Sequence, residues 1–285
     1  MAKDQQDAPD GNRPGARGEV REDRFVGGAD LTNWKSPVGQ FLASMVRWVS
    51  ARLGPNVALV LTLALGGLIA VSLTVLSAEV YDSVAEADGV AGLDHPLLQT
   101  AISLRSPALD AAATAYTDVG GPIAMPILAA ATLLVLALRR RSWTPVILIA
   151  AAAAGSLLMT VAGKQLIGRA RPPLADAVPP YEHSASFPSG HALNAVVIAG
   201  IVAYLLILRQ HSARARVLTI SAAALFALTI GLSRVFLGHH WFTDVLAAWT
   251  LGVAWLALVI TAHRLYLTVR RRGPAPRSRP LKGTS

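Results

Sequence analysis

The chain has 285 residues, of which 53% are hydrophobic and 15% are charged, with a mean hydropathy of +0.46. This composition is too apolar for an ordinary soluble domain and favours an integral membrane protein. The chain has no cysteine, which excludes disulfides, thiolate catalysis and cysteine-based metal sites. The net charge of +9 would suggest a nucleic-acid partner in a soluble protein, so its distribution along the chain has to be considered.

The N-terminal part of the chain changes character after residue 33. Residues 1–33 are rich in Gly, Asp, Arg and Pro and predict a disordered cytoplasmic tail, because too few apolar side chains offset the entropy lost on folding. Apolar residues three and four apart then follow between Val38 and Leu53, with Arg47 and Arg52 among them. This pattern predicts an amphipathic helix on the cytoplasmic membrane surface, or alternatively an extension of the first span.

Six apolar stretches approach the roughly 20 residues that a helix needs to cross the hydrocarbon core of a bilayer. They lie at residues 57–77, 121–138, 144–163, 192–208, 217–237 and 245–262. Residues 34–266 therefore predict an all-α bundle of six transmembrane helices in the cell membrane, with both termini cytoplasmic. Residues 267–285 predict a basic cytoplasmic tail.

The basic residues follow this topology. All but five of the 26 Lys and Arg residues fall on the cytoplasmic segments, which is the positive-inside asymmetry of membrane proteins. Membrane lipids thus explain the charge, and no nucleic-acid partner is expected. The five exceptions are Arg105, Lys164, Arg169, Arg171 and Arg234.

Polar and ionisable groups collect in three segments that all emerge on the extracytoplasmic side of the predicted bundle. These segments are "KQLIGRARPP" after the third span, "FPSGHALN" at the start of the fourth, and "LSRVFLGHHWFTD" between the fifth and sixth. Such groups are costly beside a membrane unless they have a partner or a function, so their convergence predicts one site. Its candidate residues are Lys164, Arg171, Ser189, Gly190, His191, Arg234, His240 and Asp244.

The residue types in these segments suit phosphoryl transfer. Arginine and lysine bind phosphate oxygens, and the N–H groups at a helix start, here near Gly190, favour the same anion. His240 and Asp244 are four apart, so on a helix the carboxylate would orient the imidazole for attack. His191, from a different helix, could protonate the leaving oxygen.

The spacing Lys164-x6-Arg171-Pro172, Pro188-Ser189-Gly190-His191 and Ser233-Arg234-x5-His240-x3-Asp244 resembles the three-part signature of the type 2 phosphatidic acid phosphatase family. The resemblance implies a membrane enzyme that hydrolyses lipid phosphates and diphosphates with no metal and no other cofactor. It also implies that His240 forms a phosphohistidine, that Asp244 orients it, and that His191 acts first as an acid and then activates water. The phosphoryl oxygens would be held by Lys164, Arg171, Arg234, Ser189 and the N–H of Gly190.

The substrate expected from this resemblance and topology is undecaprenyl diphosphate, with phosphatidylglycerol phosphate or phosphatidic acid as the alternative. Three other classes of protein have to be considered. An anion or lipid-phosphate transporter would place its binding groups near the bilayer midplane rather than at span ends. A zinc or magnesium site on His191, His240 and Asp244 would be opposed by three fixed cations, and a vanadate-dependent peroxidase has a soluble architecture. The oligomeric state is not predicted.

Residues near the signature are expected to have lesser roles. His239, five residues from Asp244, is assigned to packing or substrate lining, and Arg169 to lipid headgroups. The long loop "LADAVPPYEHSASF" is a candidate lid or headgroup selector, and its Glu182 and His183 either shape the entrance or, as we favour, contact only solvent. Asp118 would meet either a diphosphate or a neighbouring helix.

Overall fold

The computed structural model describes residues 23–54, 57–68, 72, 90–140 and 142–270. Apart from one short hairpin, the regular structure in these ranges is helical. The hairpin pairs β1 (Phe25–Val26) with β2 (Ala29–Asp30), and 3-10 turns lie at Val90–Leu93 and Leu174–Asp176. The helices are α1 (Pro37–Leu53), α2 (Val57–Leu68), α3 (Asp94–Ser103), α4 (Pro107–Asp118), α5 (Ala124–Arg140), α6 (Thr144–Ile167), α7 (Gly190–Ile207), α8 (Ala213–Phe236) and α9 (Phe242–Arg270).

Four of these helices are long and apolar enough to cross a membrane. They are α6, α7, α8 and α9, with 24, 18, 24 and 29 residues, and they correspond to the predicted third to sixth spans. The predicted second span forms α5, which has 17 residues and so lies at the lower limit for crossing the hydrocarbon core. Of the predicted first span, 57–77, the structure describes residues 57–68, which form α2, and residue 72. The six-span count and the cytoplasmic termini therefore stay predictions.

Helix α7 forms the centre of the bundle. After its first turns its side chains are almost all apolar, and Leu193, Val197, Ile201 and Leu205 are fully buried. It packs against α6, α8 and α9. Because lipid tails are as apolar as these side chains, close packing rather than removal from water holds such helices together. The central position of α7 fixes how the ends of the other three helices meet.

Residues 23–33 were predicted as part of a disordered tail, but the structure shows them folded. Asp23 is buried and forms ion pairs with Arg209 at 3.0 Å and Arg140 at 3.7 Å, and Arg264 donates to the carbonyl of Leu31. These contacts fasten the hairpin to the ends of α5, α7 and α9. Residues 1–22 of the predicted tail, and the predicted C-terminal tail beyond 270, lie outside the described residues.

The predicted amphipathic helix is present as α1. Ser36 caps it by accepting a hydrogen bond from the N–H of Gly39, and Pro37 occupies the first helical position, where no N–H is required. Ala43 and Val46 are buried in a cluster with Leu265 of α9. The exposed apolar side chains lie three and four apart, at Val38, Phe41, Met45 and Trp48. The helix thus has an apolar face that is free to contact lipid.

Candidate active site

The three polar segments meet at one end of the helix bundle. Lys164 lies in the last turn of α6, Ser189 caps α7, Arg234 lies in the last turn of α8, and Asp244 lies in the first turn of α9. Hydrogen bonds join the segments directly: the N–H of Ser189 donates to the carbonyl of Asp244 at 3.3 Å, and Arg171 contacts His240 at 3.2 Å. The predicted convergence is therefore present in the structure.

Two glycines allow this close approach. Gly238, in the turn between α8 and α9, has φ +70°, a conformation that favours glycine, and a Cβ there would collide with the carbonyl of Asp176. At Gly163, next to Lys164, a Cβ would collide with the ring of Pro188. The missing side chains thus let α6 and the α8–α9 turn lie against the loop that precedes α7.

His240 is 1% exposed and lies in the turn two residues before α9 begins. The prediction that it shares a helical face with Asp244 is therefore wrong, although the two side chains do meet, with Nδ1 of His240 3.6 Å from Oδ2 of Asp244. Asp244 reaches back and accepts the N–H of Trp241 at 3.0 Å. Ser186, which the sequence did not single out, donates to Oδ2 at 2.5 Å and lies 3.3 Å from Nδ1.

The contacts of His240 define its tautomer. A guanidinium can only donate hydrogen bonds, so Nε2 of His240 must accept from Nη1 of Arg171, and the ring proton lies on Nδ1, toward Ser186 and Asp244. Burial lowers the pKa of His240 to about 4, although Asp244 acts in the opposite direction. At neutral pH the ring is therefore uncharged, and the lone pair of Nε2 points toward the arginines.

Arg171 and Arg234 converge on one carboxylate, that of Glu182. Nη2 of Arg171 is 2.7 Å from Oε2, and Nη2 of Arg234 contacts Oε1. Burial raises the pKa of Glu182, but Arg234 and Arg171 outweigh this and bring it to about 2, so the group is ionised. Burial also lowers the pKa of Arg171. The predicted solvation of Glu182 is wrong, since its carboxylate occupies an anion-binding position beside His240.

Further donors surround this position. Lys164 donates to Oγ of Ser184 at 3.1 Å and to the carbonyl of Ala185. Within the described residues, no hydrogen-bond partner is found for the buried Oγ of Ser189 or for Nε of Arg234. His191, in the first turn of α7, interacts electrostatically with Glu182, as His240 does. The arrangement thus places a neutral imidazole, a second histidine and several hydrogen-bond donors near the carboxylate of Glu182.

The part of the chain that carries these residues is similar to proteins of known family. Residues 144–266 match the family model of the PAP2 superfamily. A phosphatidylglycerophosphatase B of Bacillus subtilis (strain 168) is 30% identical over 186 residues, which are 60% of this chain and 84% of the relative. The chain belongs to the PAP2 superfamily.

A solved structure agrees with this assignment. The crystal structure of a transmembrane PAP2 type phosphatidylglycerolphosphate phosphatase from Bacillus subtilis resembles the chain with a TM-score of 0.59 at 26% identity. The likeness covers 66% of this chain and 93% of the other. The resemblance found in the sequence is thereby confirmed, and this PAP2 protein is a membrane phosphatase that hydrolyses phosphate esters of lipids.

Some contacts of this PAP2 site were not predicted. Thr117 at the end of α4 accepts from Oγ of Ser233 at 2.9 Å and from Nη1 of Arg234 at 3.4 Å, which holds Arg234 from behind. Asp118 is exposed and attracts Arg234 electrostatically, so both of its expected partners, a diphosphate or a neighbouring helix, stay predictions. Arg105 donates to the carbonyls of Asp176 and Phe236 at 2.6 and 2.8 Å and so fastens the long loop to the end of α8. Ser233 and Arg234 belong to the signature, but no sequence signal links Thr117, Asp118 or Arg105 with the site.

The structure also places three residues near the signature, Arg169, His239 and His183. Arg169 was assigned to headgroups, but its guanidinium pairs with two carboxylates, 2.5 Å from Asp244 and 2.8 Å from Asp94. His239 turns away from Asp244, and its Nε2 lies 2.7 Å from the carbonyl of Val178, as packing requires. Burial lowers the pKa of His239. His183 is exposed, as expected.

A recess of about 500 Å³ opens beside the PAP2 site. It is lined by residues 168–174 and 182–185 together with Gly238 and His239, so Arg171 and Glu182 form part of its wall. The long loop therefore borders the recess beside Arg171, and its role as a lid or headgroup selector stays a prediction. In the described part of the chain, no three His, Asp or Glu side chains are placed to hold a metal ion.

Proposed function

We propose that this protein removes the terminal phosphate of a lipid phosphate by two transfers through His240. One observation carries the proposal: Arg171 contacts both the Glu182 carboxylate, at 2.7 Å, and Nε2 of His240, at 3.2 Å. An anion bound by the two arginines therefore lies next to a neutral, buried imidazole nitrogen, whose lone pair accepts from Arg171 until that guanidinium binds the phosphate. Nucleophile and electrophile are brought together in the way that covalent catalysis requires.

In the first step the substrate phosphate replaces Glu182 between Arg171 and Arg234. Nε2 of His240 attacks phosphorus, the bond from phosphorus to the lipid oxygen breaks, and its electron pair goes to that oxygen. His191 donates a proton to the leaving oxygen. The ring of His240 gains positive charge as the P–N bond forms, and Asp244 stabilises it through the Nδ1 proton.

In the second step His191 is neutral and takes a proton from water. The resulting hydroxide attacks phosphorus, the P–N bond breaks, and its electron pair returns to Nε2 of His240. Inorganic phosphate leaves, and both histidines regain their starting protonation. Charge on the phosphoryl oxygens is stabilised in both steps by preorganised donors, which are Lys164, Arg171, Arg234, Ser189 and the N–H of Gly190. We assign no metal or cofactor to these steps.

We further propose phosphatidylglycerol phosphate as the substrate. The curated relative and the solved structure both carry this substrate in their names. Undecaprenyl diphosphate, the substrate expected first from the sequence, lacks this support. The distribution of Lys and Arg supports a multi-pass protein of six spans, with cytoplasmic termini and the site on the extracytoplasmic face.

Phosphate release by the purified protein in mixed micelles tests this proposal. Phosphatidylglycerol phosphate, phosphatidic acid and undecaprenyl diphosphate are compared at equal surface concentration, each with and without a chelator. The fastest release is expected from phosphatidylglycerol phosphate, and the chelator should not change it. A clear preference for undecaprenyl diphosphate would overturn the substrate assignment.

Two matched variants test the nucleophile in the same assay. His240→Asn should abolish phosphate release, whereas His211→Asn, at an exposed position after α7, should retain it. Full activity of His240→Asn would overturn the mechanism while leaving the family assignment intact.

A further inference from the structure

Arg169 lies between two carboxylates, one of which belongs to the site. Its Nη1 is 2.5 Å from Oδ1 of Asp244, and its Nη2 is 2.8 Å from Oδ2 of Asp94. Both aspartates are almost fully buried, and the Arg169 side chain is 17% exposed. Arg169 also lines the recess beside the site, but its guanidinium is held by both carboxylates, so the site residue on which it acts directly is Asp244.

Asp94 also contacts the N-terminus of α9, the helix that carries Asp244. It is the first residue of α3, and its carboxylate accepts from the N–H of Thr243 at 2.9 Å and from Oγ1 of Thr243 at 2.7 Å. Nη1 of Arg169 also donates to Oγ1 of Thr243 at 2.9 Å. The first N–H groups of a helix have no partner within the helix. Asp94 therefore satisfies α9 at the residue next to Asp244.

The backbone around Arg169 is fixed to the other partners of Asp244. The carbonyl of Arg169 accepts the N–H of Ser186 at 2.8 Å, and the carbonyl of Ala170 accepts the indole N–H of Trp241 at 2.9 Å. Ser186 and Trp241 in turn donate to Oδ2 of Asp244. One loop segment thus sets both the donor on Oδ1 and the donors on Oδ2.

We propose that Arg169 and Asp94 are positioning residues that hold the Asp244 carboxylate for His240. The inference rests on the proposed role of His240 as the nucleophile. With Oδ1 bound to Arg169, the carboxylate cannot rotate, and Oδ2 stays directed at the Nδ1 proton of His240, which keeps the ring proton off Nε2, the atom that attacks phosphorus. Orienting groups of this kind act on the tautomer of a catalytic histidine.

The second carboxylate is needed for charge. Arg169 alone would neutralise Asp244 and weaken its attraction for the imidazolium that forms during transfer. Asp94 supplies a second negative charge, so the group of Asp94, Arg169 and Asp244 keeps a net charge of −1. Asp244 is thereby held rigidly without losing its electrostatic effect on His240.

The test measures kcat and KM for phosphate release from phosphatidylglycerol phosphate, together with the rate of phosphohistidine formation. Arg169→Gln and the isosteric Asp94→Asn should each lower kcat about 10- to 100-fold, the decrease expected when the free energy of one charge-assisted hydrogen bond is lost. KM should stay within about twofold. Arg169→Lys, which keeps the charge, should recover part of the loss. The loss in the double variant should be smaller than the product of the two single losses, since Asp94 and Arg169 hold the same carboxylate.

Three outcomes would overturn the inference. A raised KM with unchanged kcat that depends on the anionic lipid content would assign Arg169 to headgroups. Equal losses in Arg169→Gln and Arg169→Lys with a lowered unfolding temperature would show only a structural role. Full kcat in Asp94→Asn would remove the charge argument. If the unmodified protein released no phosphate, or if His240→Asn were fully active, the proposed function itself would be overturned instead.

Discussion

Acidification should destabilise this protein through His240 in particular. Its ring is buried, and the pKa falls from 6.5 to about 4 in the folded state. In the unfolded chain the ring returns to water and to its ordinary pKa. Between pH 6.5 and 4 the unfolded state therefore binds the proton more tightly, and stability that is present above pH 6.5 is lost as the pH falls toward 4.

The size of this effect follows from the two pKa values. At pH 5 the unfolded ring is largely protonated and the folded ring largely neutral, which lowers the free energy of unfolding by about 2 kcal/mol relative to pH 8. The loss approaches about 3 kcal/mol near pH 4. His240→Asn removes the titrating group while it keeps a polar side chain of similar size, so this part of the acid sensitivity should disappear.

Thermal unfolding of the detergent-solubilised protein and of His240→Asn, measured at intervals from pH 8 to pH 4.5, checks this expectation. The unfolding temperature of the unmodified protein should fall more steeply below pH 6.5. Other titrating groups are common to both proteins, so the difference between the two curves isolates His240. Parallel curves over the whole range would refute the conclusion that a neutral, buried His240 is a property of the folded site.

Three substitutions test other parts of the site. Arg234→Lys keeps the charge, but a single ammonium cannot donate to both Thr117 and Glu182, so kcat/KM should fall about 10- to 100-fold. The control Arg139→Lys, at an exposed position in α5, should leave kcat/KM unchanged. Glu182→Gln should lower the inhibition constant of inorganic phosphate about tenfold because the internal anion is gone; an unchanged constant would contradict its placement. Gly163→Ala should lower activity by at least tenfold because the new Cβ meets Pro188. Gly92→Ala, with open space around it, should be neutral.

The sequence was sufficient to predict α6 to α9 and the meeting of the three segments, but not α3 and α4, which no apolar stretch of sufficient length marks. Long apolar stretches predict α6 to α9, and in the predicted topology the connection between α6 and α7 and that between α8 and α9 lie on the same face of the membrane. The ends that carry Lys164, His191, Arg234 and Asp244 therefore had to meet. This reasoning needs only length, hydropathy and order along the chain.

The contacts inside the site could not be predicted in the same way. Asp94 and Thr243 are 149 residues apart, and no periodicity connects a loop-borne Arg169 with either aspartate. Glu182 lies in a loop without regular structure, where composition suggested solvent and the actual path of the chain places it between two arginines. Pairs of this kind depend on three-dimensional loop geometry, which single-sequence patterns do not contain.

The relation of His240 to Asp244 shows a subtler limit. A spacing of four predicted contact on a helix, but Gly238 turns the chain sharply and α9 begins only at Phe242. Contact arises because Asp244, in the first turn, accepts the N–H of Trp241 and so draws the preceding turn toward itself. The partner was correct and the geometry was not, since spacing alone does not locate a helix start.

Detection of the phosphorylated enzyme tests the central claim most directly. The protein is mixed with phosphatidylglycerol phosphate, quenched in alkali during turnover and digested, and the phosphorylated peptide is identified by mass spectrometry. An acid-labile phosphoryl group on His240 that forms and decays at the rate of phosphate release is expected, and it should be absent from His240→Asn. A phosphoryl group on His239, or steady phosphate release without any phosphorylated histidine, would contradict the account.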